Sequence, residues 1–425
     1  MTSHAAAGIL AEQFAAQFRE TLRPIRLIGR EAEFPVVWPD GRAGDVLRVW
    51  TPLLEQNGFT PQYDDPETRT LIVALRGPDG TVEVEVGRAT IEIVLGPYDD
   101  LWQLAQGSAR MLRRVVAAVQ AAGMRVLGFG IQPRTRGSPA LMTPKRRYAP
   151  LLQAIGGPWL HFVTTASDQV QVDIARGELA DAINVLNLMS GPLIALTANS
   201  SVYGGRAGRY LSGREGLLGA LGEFRAGMTP FPFASIEEFV AYNCSYRCYV
   251  VRDREGFHVW NRPFNEYLLE HGPDLGAYLW HEHYIWNSAR PRANNSTIEI
   301  RPVCQQPPEE PLAAAAMSLG LVEALTDAKA LLQNFFPTDP WPALRRYRTA
   351  AILDGLSAPE PVPGFLEGTL RIAEIGLRGR GRGEETFLKP LWARLEHRMA
   401  PGERNRELFR TGGIDALLRA TAHSI

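Results

Sequence analysis

Four separated stretches of this sequence each alternate acidic or amide side chains on one side with aliphatic residues on the other. Glu31 and Glu33 flank Ala32, and Glu92 stands between Ile91 and Ile93. Gln169, Gln171 and Asp173 alternate with Val170 and Val172, while Glu299 and Arg301 alternate with Ile298 and Ile300. In a strand, residues two apart share a face, so each stretch presents a polar face backed by an apolar one. An antiparallel sheet with a solvated outer face accounts for any single stretch. The set as a whole differs from such a face: it holds no lysine, Arg301 is its one basic residue, and carboxylates recur at close spacing. Carboxylates crowded on one face repel each other unless a cation lies between them. Hard oxygen ligands suit Mg²⁺ or Mn²⁺ rather than zinc, and magnesium on protein carboxylates completes its shell with water and substrate phosphates. The chemistry indicated is that of nucleotide phosphates.

Other chemistries have weaker signals. No Gly-x-x-x-x-Gly-Lys-[Ser/Thr] loop and no dinucleotide glycine fingerprint is present, and no Gly-x-Ser-x-Gly elbow for a serine hydrolase. Arg378-Gly379-Arg380-Gly381-Arg382-Gly383 reads as a mobile basic loop, with gripping of ATP phosphates as the sharper alternative. His281 and His283, two apart on an expected strand, could ligate zinc in a hydrolase, although a third ligand and a base are not evident. His161 reads as a packed or capping histidine. Cys244 and Cys248 lack a second cysteine pair and read as core or surface thiols.

Strands must carry these residues. Thr70–Arg76 and Thr81–Val86 flank Gly77-Pro78-Asp79-Gly80, a hairpin signature, and Thr90–Leu95 follows at once. Further strands are expected over Met124–Gln132, Phe162–Ile174 and Ser296–Val303. Leu10, Phe14 and Phe18 recur on one face of an N-terminal helix. Helices are also expected over Leu47–Gln56, from a cap at Asp99 to Gly123, over Glu178–Ala198 with a break at Gly191-Pro192, and over Leu312–Phe335. The tail to Ile425 reads as mostly helical. Strands with interspersed helices followed by helices make an α+β fold rather than a doubly wound sheet.

The 425 residues are 45% apolar and 21% charged, with a formal net charge of −1, so no global field draws nucleic acid or an anionic membrane. No run reaches the roughly 18 apolar residues of a membrane span. With three cysteines and an N-terminus that lacks signal-peptide character, the sequence reads as a cytoplasmic protein acting on small molecules.

Seven segments, in order over about residues 25–305, resemble the glutamate–cysteine ligases of plants and proteobacteria. They are Gly29-Arg30-Glu31-Ala32-Glu33, Thr90-Ile91-Glu92-Ile93 with Gly96-Pro97, Gly128-Phe129-Gly130-Ile131-Gln132-Pro133 and Pro144-Lys145-Arg146-Arg147-Tyr148. The others are Thr165–Asp173, then Ala198-Asn199-Ser200 with Tyr210-Leu211-Ser212-Gly213-Arg214, and Ile298-Glu299-Ile300-Arg301. The resemblance implies a glutamine-synthetase-like fold, a curved antiparallel sheet forming a funnel with flanking helices. It divides the chain into an N-terminal helix (1–24), an ATP- and magnesium-binding sheet region (25–308) and a helical region (309–425) packed on the same domain.

It further implies that Glu31, Glu33, Glu92 and Glu299 bind Mg²⁺ or Mn²⁺, with Gln171 where the family has Asn. Arg301 would stabilise the transferring phosphoryl group, and Arg147 and Arg214 would hold substrate carboxylate or phosphate. Thr165, Gln169 and Tyr210 complete the expected substrate and ATP contacts. The implied reaction joins glutamate to cysteine, or to another amine, through an acyl phosphate made with ATP, in a monomer or homodimer. A ligase-like binding protein without turnover is the alternative from another class. Ser200–Gly205 and Gly216-Leu217-Leu218 depart from the family pattern, as does Asp168, and leave the acceptor amine open.

Overall fold

The computed structural model describes residues 2–222 and 224–424. Its centre is a sheet of nine strands: β1 (Ile28–Val37), β2 (Thr60–Tyr63), β3 (Ile72–Arg76), β4 (Gly80–Val84), β5 (Thr90–Tyr98), β6 (Arg125–Val126), β7 (Asp168–Asp173), β8 (Ala289–Arg292) and β9 (Thr297–Ile300). The order is β8-β9-β7-β1-β5-β4-β3-β2, with β6 added to the end of β1. Every pairing in it is antiparallel. The acidic strands β1, β5, β7 and β9, far apart in sequence, are therefore neighbours.

Period-two patterning fixes which face is dry. Ala32, Phe34, Ile91, Ile93, Val170, Val172, Ile298 and Ile300 are buried on one side, where helices cover them. The helix Leu101–Ala121 lays Leu104, Met111, Val115 and Val119 against this face. Asp100, one residue after the expected cap, accepts from the Gln103 amide at 2.8 Å. A core that runs from Leu10 near the N-terminus to Ala400 joins the N-terminal helix, the sheet and the C-terminal helices.

Helix boundaries differ from expectation where tertiary packing decides them. The segment Glu178–Ala198 breaks at Met189 into Leu179–Leu188 and Ser190–Thr197. Pro192 is tolerated because it lies in the first turn of the second helix, where its missing N–H has no intrahelical acceptor to lose. The long apolar helix expected from Leu312 divides at Ala324 into Ala313–Glu323 and Leu325–Phe335. Gly320 and Gly376, on Phe365–Gly379, let the backbones of two helices touch: a Cβ at Gly376 would stand 2.1 Å from the Gly320 carbonyl oxygen. Only Arg125–Val126 and Asp168–Asp173 of two longer expected strands pair in the sheet, and Leu47–Gln56 is a 3₁₀ turn followed by Trp50–Leu54.

The basic Arg-Gly repeat is neither a free loop nor near the acidic face. Arg380 is buried between Glu323 and Glu384 and donates to the Asp99 carbonyl at 2.6 Å. Arg378 pairs with Glu374 and Arg382 with Asp100. The repeat ties the C-terminal helices to the start of Leu101–Ala121. Among the described residues, no single helix is long and apolar enough to cross a membrane.

Candidate active site

The polar face of the sheet lines a cavity of about 280 Å³. Strand register brings its carboxylates into rows. Glu33 on β1 lies opposite Glu92 on β5, which lies opposite Glu83 on β4. Gln171 on β7 lies opposite Glu299 on β9, which lies opposite Arg290 on β8. Like charges directly opposite are unfavourable on a sheet, so a row of three glutamates marks a place where something else sets the balance.

Glu85, one residue beyond β4, completes a trio. Carboxylate oxygens of Glu33, Glu85 and Glu92 lie within 4.8 Å of one another. Burial, then the charge of Glu85, pushes Glu92 well above the usual carboxylate range and raises Glu33 as well. Burial also acts on Glu85, but Lys145 and a hydrogen bond from Glu92 outweigh it and hold Glu85 low. Burial and then Glu299 push Glu31 up to about 7. Three close oxygen donors whose charges oppose one another fit a hard dication, and the residues present suit Mg²⁺ or Mn²⁺.

Supporting hydrogen bonds orient these groups. The Ser167 amide and the Gln169 side chain donate to Glu33 at 2.7 and 2.9 Å. Gln171 donates to Glu31 at 2.6 Å, while its oxygen accepts from Asn295 and Thr297 at 2.9 and 3.1 Å. With its oxygen so occupied and outside the cavity lining, Gln171 buttresses Glu31 rather than offering a ligand atom. Asp173, expected on the same face, pairs instead with Arg19 and Arg23 at the end of the sheet.

The opposite wall is cationic. Glu299 is bound by Arg290 and by Arg301, the latter at 2.9 Å. Although burial would raise it, these two guanidiniums hold Glu299 far below the usual carboxylate range. Arg301 also donates to Gln169, and Arg290 to the carbonyls of His283 and Ile285 at 2.8 and 3.0 Å. Lys145, Arg147, Arg214 and Arg292 reach the same cavity. Arg147 packs over the rings of Tyr148 and Trp280, and its Nε is sealed from solvent without a partner. Its neighbour Arg146 points outward to Asp64 and Asp65. Tyr148, Trp159, Phe162, Tyr284 and Trp286 form an aromatic end wall, with Phe162 and Trp286 centroids 4.7 Å apart.

Of the expected site residues, Glu31, Glu33, Glu92, Arg147, Thr165, Gln169, Arg214, Glu299 and Arg301 line the cavity. Tyr210 does not. Its ring packs against Gly216, where a Cβ would come within 2.5 Å, and so supports the short helix Gly213–Leu218 that carries Arg214. The histidine pair lies on the helix Leu275–His283 rather than on a strand. Two residues apart on a helix point in different directions. His281 stacks on Phe264 with Nε2 at 2.8 Å from the Asn243 carbonyl, while His283 faces the cavity. No zinc site forms from them.

Glu83, Glu85, Lys145, Arg290 and Arg292 are members of the cavity that the sequence reading did not single out. Glu83 and Glu85 carry the same period-two signal, alternating with Val82, Val84 and Val86. Arg290 and Arg292 flank Pro291, which removes the appearance of a strand; β8 accommodates it because it is an edge strand.

Over residues 29–413 the chain matches glutamate–cysteine ligase family 2. The chain belongs to this family. It is 27% identical over 311 residues to a putative glutamate–cysteine ligase 2-3 of Rubrobacter xylanophilus, covering 69% of this chain and 75% of that one. It is 25% identical over 378 residues to chloroplastic glutamate–cysteine ligase A of Oryza sativa subsp. indica, covering 84% and 75%. Among solved structures, glutamate–cysteine ligase of Francisella tularensis in complex with AMP superposes with a TM-score of 0.54 at 12% identity, over 95% of this chain and 88% of that one. A bifunctional glutathione synthetase of Pasteurella multocida gives 0.53 at 13% identity, over 98% and 53%. At these identities the two structures share the fold. This chain is thus a ligase of that family, and the cavity is its candidate active site.

Proposed function

We propose that this ligase joins the γ-carboxylate of glutamate to the amine of cysteine, using ATP with Mg²⁺ or Mn²⁺. The observation that carries the reading is the single cavity in which a glutamate trio faces Arg290 and Arg301 across the sheet. Glu33, Glu85 and Glu92, with Glu31 beside them, would hold the metal, which supplies neutralisation of the ATP phosphates when bound, whereas Glu299, expected among the ligands, has both oxygens on guanidiniums.

A carboxylate is a poor electrophile. Arg301 and Arg290, both held by Glu299, would stabilise negative charge on a transferring phosphoryl group. The carboxylate oxygen bonds to the γ-phosphorus as the bond to the β-phosphate oxygen breaks, giving γ-glutamyl phosphate and ADP. Arg147 and Arg214 are suited to planar, two-point contact with substrate carboxylate or phosphate. The neutral amine then attacks the acyl carbon, inorganic phosphate departs, and the amine loses its proton. No protein nucleophile is needed.

The second reading keeps this chemistry with another amine as acceptor. It rests on Ser200–Gly205 and Gly216-Leu217-Leu218, which depart from the family pattern on either side of Arg214, with Gly216 leaving room for the Tyr210 ring against the helix that carries Arg214. We place the reaction in the cytoplasm, consistent with three free, buried cysteines. Phosphate release from ATP and Mg²⁺ with glutamate, amines being added singly and products identified by mass, tests the proposal. Cysteine as best acceptor, yielding γ-glutamylcysteine, is expected. Release with another amine only would move the assignment to the second reading, and none with any pair would overturn both.

A further inference from the structure

Behind Arg214 the main cavity meets a second, much smaller one of about 20 Å³, and the two share Arg214, Trp286 and Arg301. Arg348 and Ser288 close its far side. Arg348 comes from the helix Trp341–Asp354, in the C-terminal part of the chain. Glu215 bridges the two arginines, accepting from Arg214 with one oxygen and from Arg348 with the other.

Three residues that line this chamber each carry a donor without a partner. Arg214 Nε, Arg348 Nε and Ser288 Oγ are each sealed from solvent with no partner in the protein. Arg214 is 4% exposed and Ser288 2%. A buried donor without an acceptor is costly, and three around one small space mark a site for an anion's oxygens. The charges agree, since three guanidiniums reach the chamber and Glu215 is its one carboxylate.

The helix that supplies Arg348 also grips the segments on either side. The amides of Leu211 and Ser212, just before Arg214, donate to the Ile352 carbonyl at 3.0 and 3.1 Å. Arg345 donates to the carbonyls of Thr229 and Pro230 at 3.2 and 2.8 Å. Gly227 leaves the space that Arg348 enters: a Cβ there would lie 2.8 Å from the guanidinium carbon.

We propose that Arg348 is a positioning residue that, through Glu215, aims Arg214 at this chamber, and that the chamber with Ser288 receives the α-carboxylate of an amino-acid substrate. The inference rests on the ligase reading above and adds the residues that select an amino acid over a plain amine. A planar carboxylate suits two-point contact with guanidinium, whereas the main cavity is left for the phosphates and the reacting groups.

Calorimetric binding tests it, with Mg²⁺ and a non-hydrolysable ATP analogue present. The probes are L-cysteine against cysteamine and L-glutamate against 4-aminobutyrate, each pair differing by the α-carboxylate. The native chain should prefer the amino acid of one pair by at least about tenfold. Arg348→Met and Ser288→Ala should shrink that ratio, Arg348→Met at least about tenfold, with affinity for the decarboxylated partner nearly unchanged. Arg348→Lys should restore part of it, which a merely structural residue would not show. The pair that responds identifies whether acceptor or donor occupies the chamber. Unchanged ratios for both pairs in a protein that still turns over ATP would overturn the chamber and leave the ligase reading standing. No binding of either amino acid to the native chain, with no turnover, would overturn both.

Discussion

Among single side chains, Arg301 and the glutamate trio carry most of the proposed chemistry. Arg301→Ala should lower kcat by about 100- to 1000-fold in a variant that still shows a folded circular-dichroism spectrum, because its donors act on charge that develops during transfer. Gln171→Ala removes the hydrogen bond that orients Glu31, and about 10- to 100-fold weaker metal affinity is expected in a Mn²⁺ titration. Glu31, Glu33 and Glu92 also link metal to pH. Their folded values lie above the ordinary 4.5, with Glu31 at about 7, so the folded metal-free protein holds protons that the unfolded chain releases. That contribution to stability is full below 4.5 and is lost as pH rises toward 7. The gain in melting temperature on adding Mg²⁺ to chelator-treated protein should therefore grow from pH 5 to pH 8; a gain independent of pH would contradict the cluster. Glu31, Glu33, Glu92 and Glu299 could be read from alternation alone. Glu85 could be read so too, since Glu83 and Glu85 alternate with valines in Thr81–Val86, but the Gly77–Gly80 hairpin turn accounts for that strand without its acidic face.

Among elements, local pattern shows which strands exist, while packing decides where helices stop. The antiparallel strands were legible because one face of each is apolar without a break. Their order was not: β7 pairs with β1 across more than a hundred residues, and no local signal carries that. The break at Ala324 follows directly on the close crossing of Gly320 with Gly376, a contact between helices that no local pattern carries. Gly376→Val should push these backbones apart and destabilise the fold by at least about 2 kcal/mol, read as a lower urea midpoint. His281 and His283 misled for a related reason. Their alternation resembles a strand, but Asp274 caps a helix there, accepting from the Ala277 amide at 3.0 Å.

Across the whole molecule, the helical C-terminal region and the sheet share one core, and ion pairs stitch them together. Arg30 on β1 makes a bidentate pair with Asp168 on β7 behind the acidic face and donates to the Pro311 carbonyl at 2.7 Å. Asp168, a departure from the family pattern, thus belongs to the structural side of the sheet, and its role was invisible without knowing which strand lies beside it. Asp168→Ala would strand Arg30 in the interior and cost about 3–5 kcal/mol of stability. His423 packs edge-on to Phe34 in the same region, and burial followed by Arg30 pushes it down to about 4. Its folded value lies below the unfolded 6.5, so stability present above pH 6.5 is lost as pH falls toward 4. His423→Gln should flatten that acid limb, measured as the difference in melting temperature between the two proteins across this window.

In the proposed reaction, ATP activates a carboxylate in this cavity. The most direct test uses glutamate labelled with ¹⁸O in the γ-carboxylate, with ATP, Mg²⁺ and the acceptor that supports turnover. An acyl phosphate intermediate predicts that each inorganic phosphate released carries one ¹⁸O from glutamate. Unlabelled phosphate alongside amide product would contradict the mechanism proposed for this site.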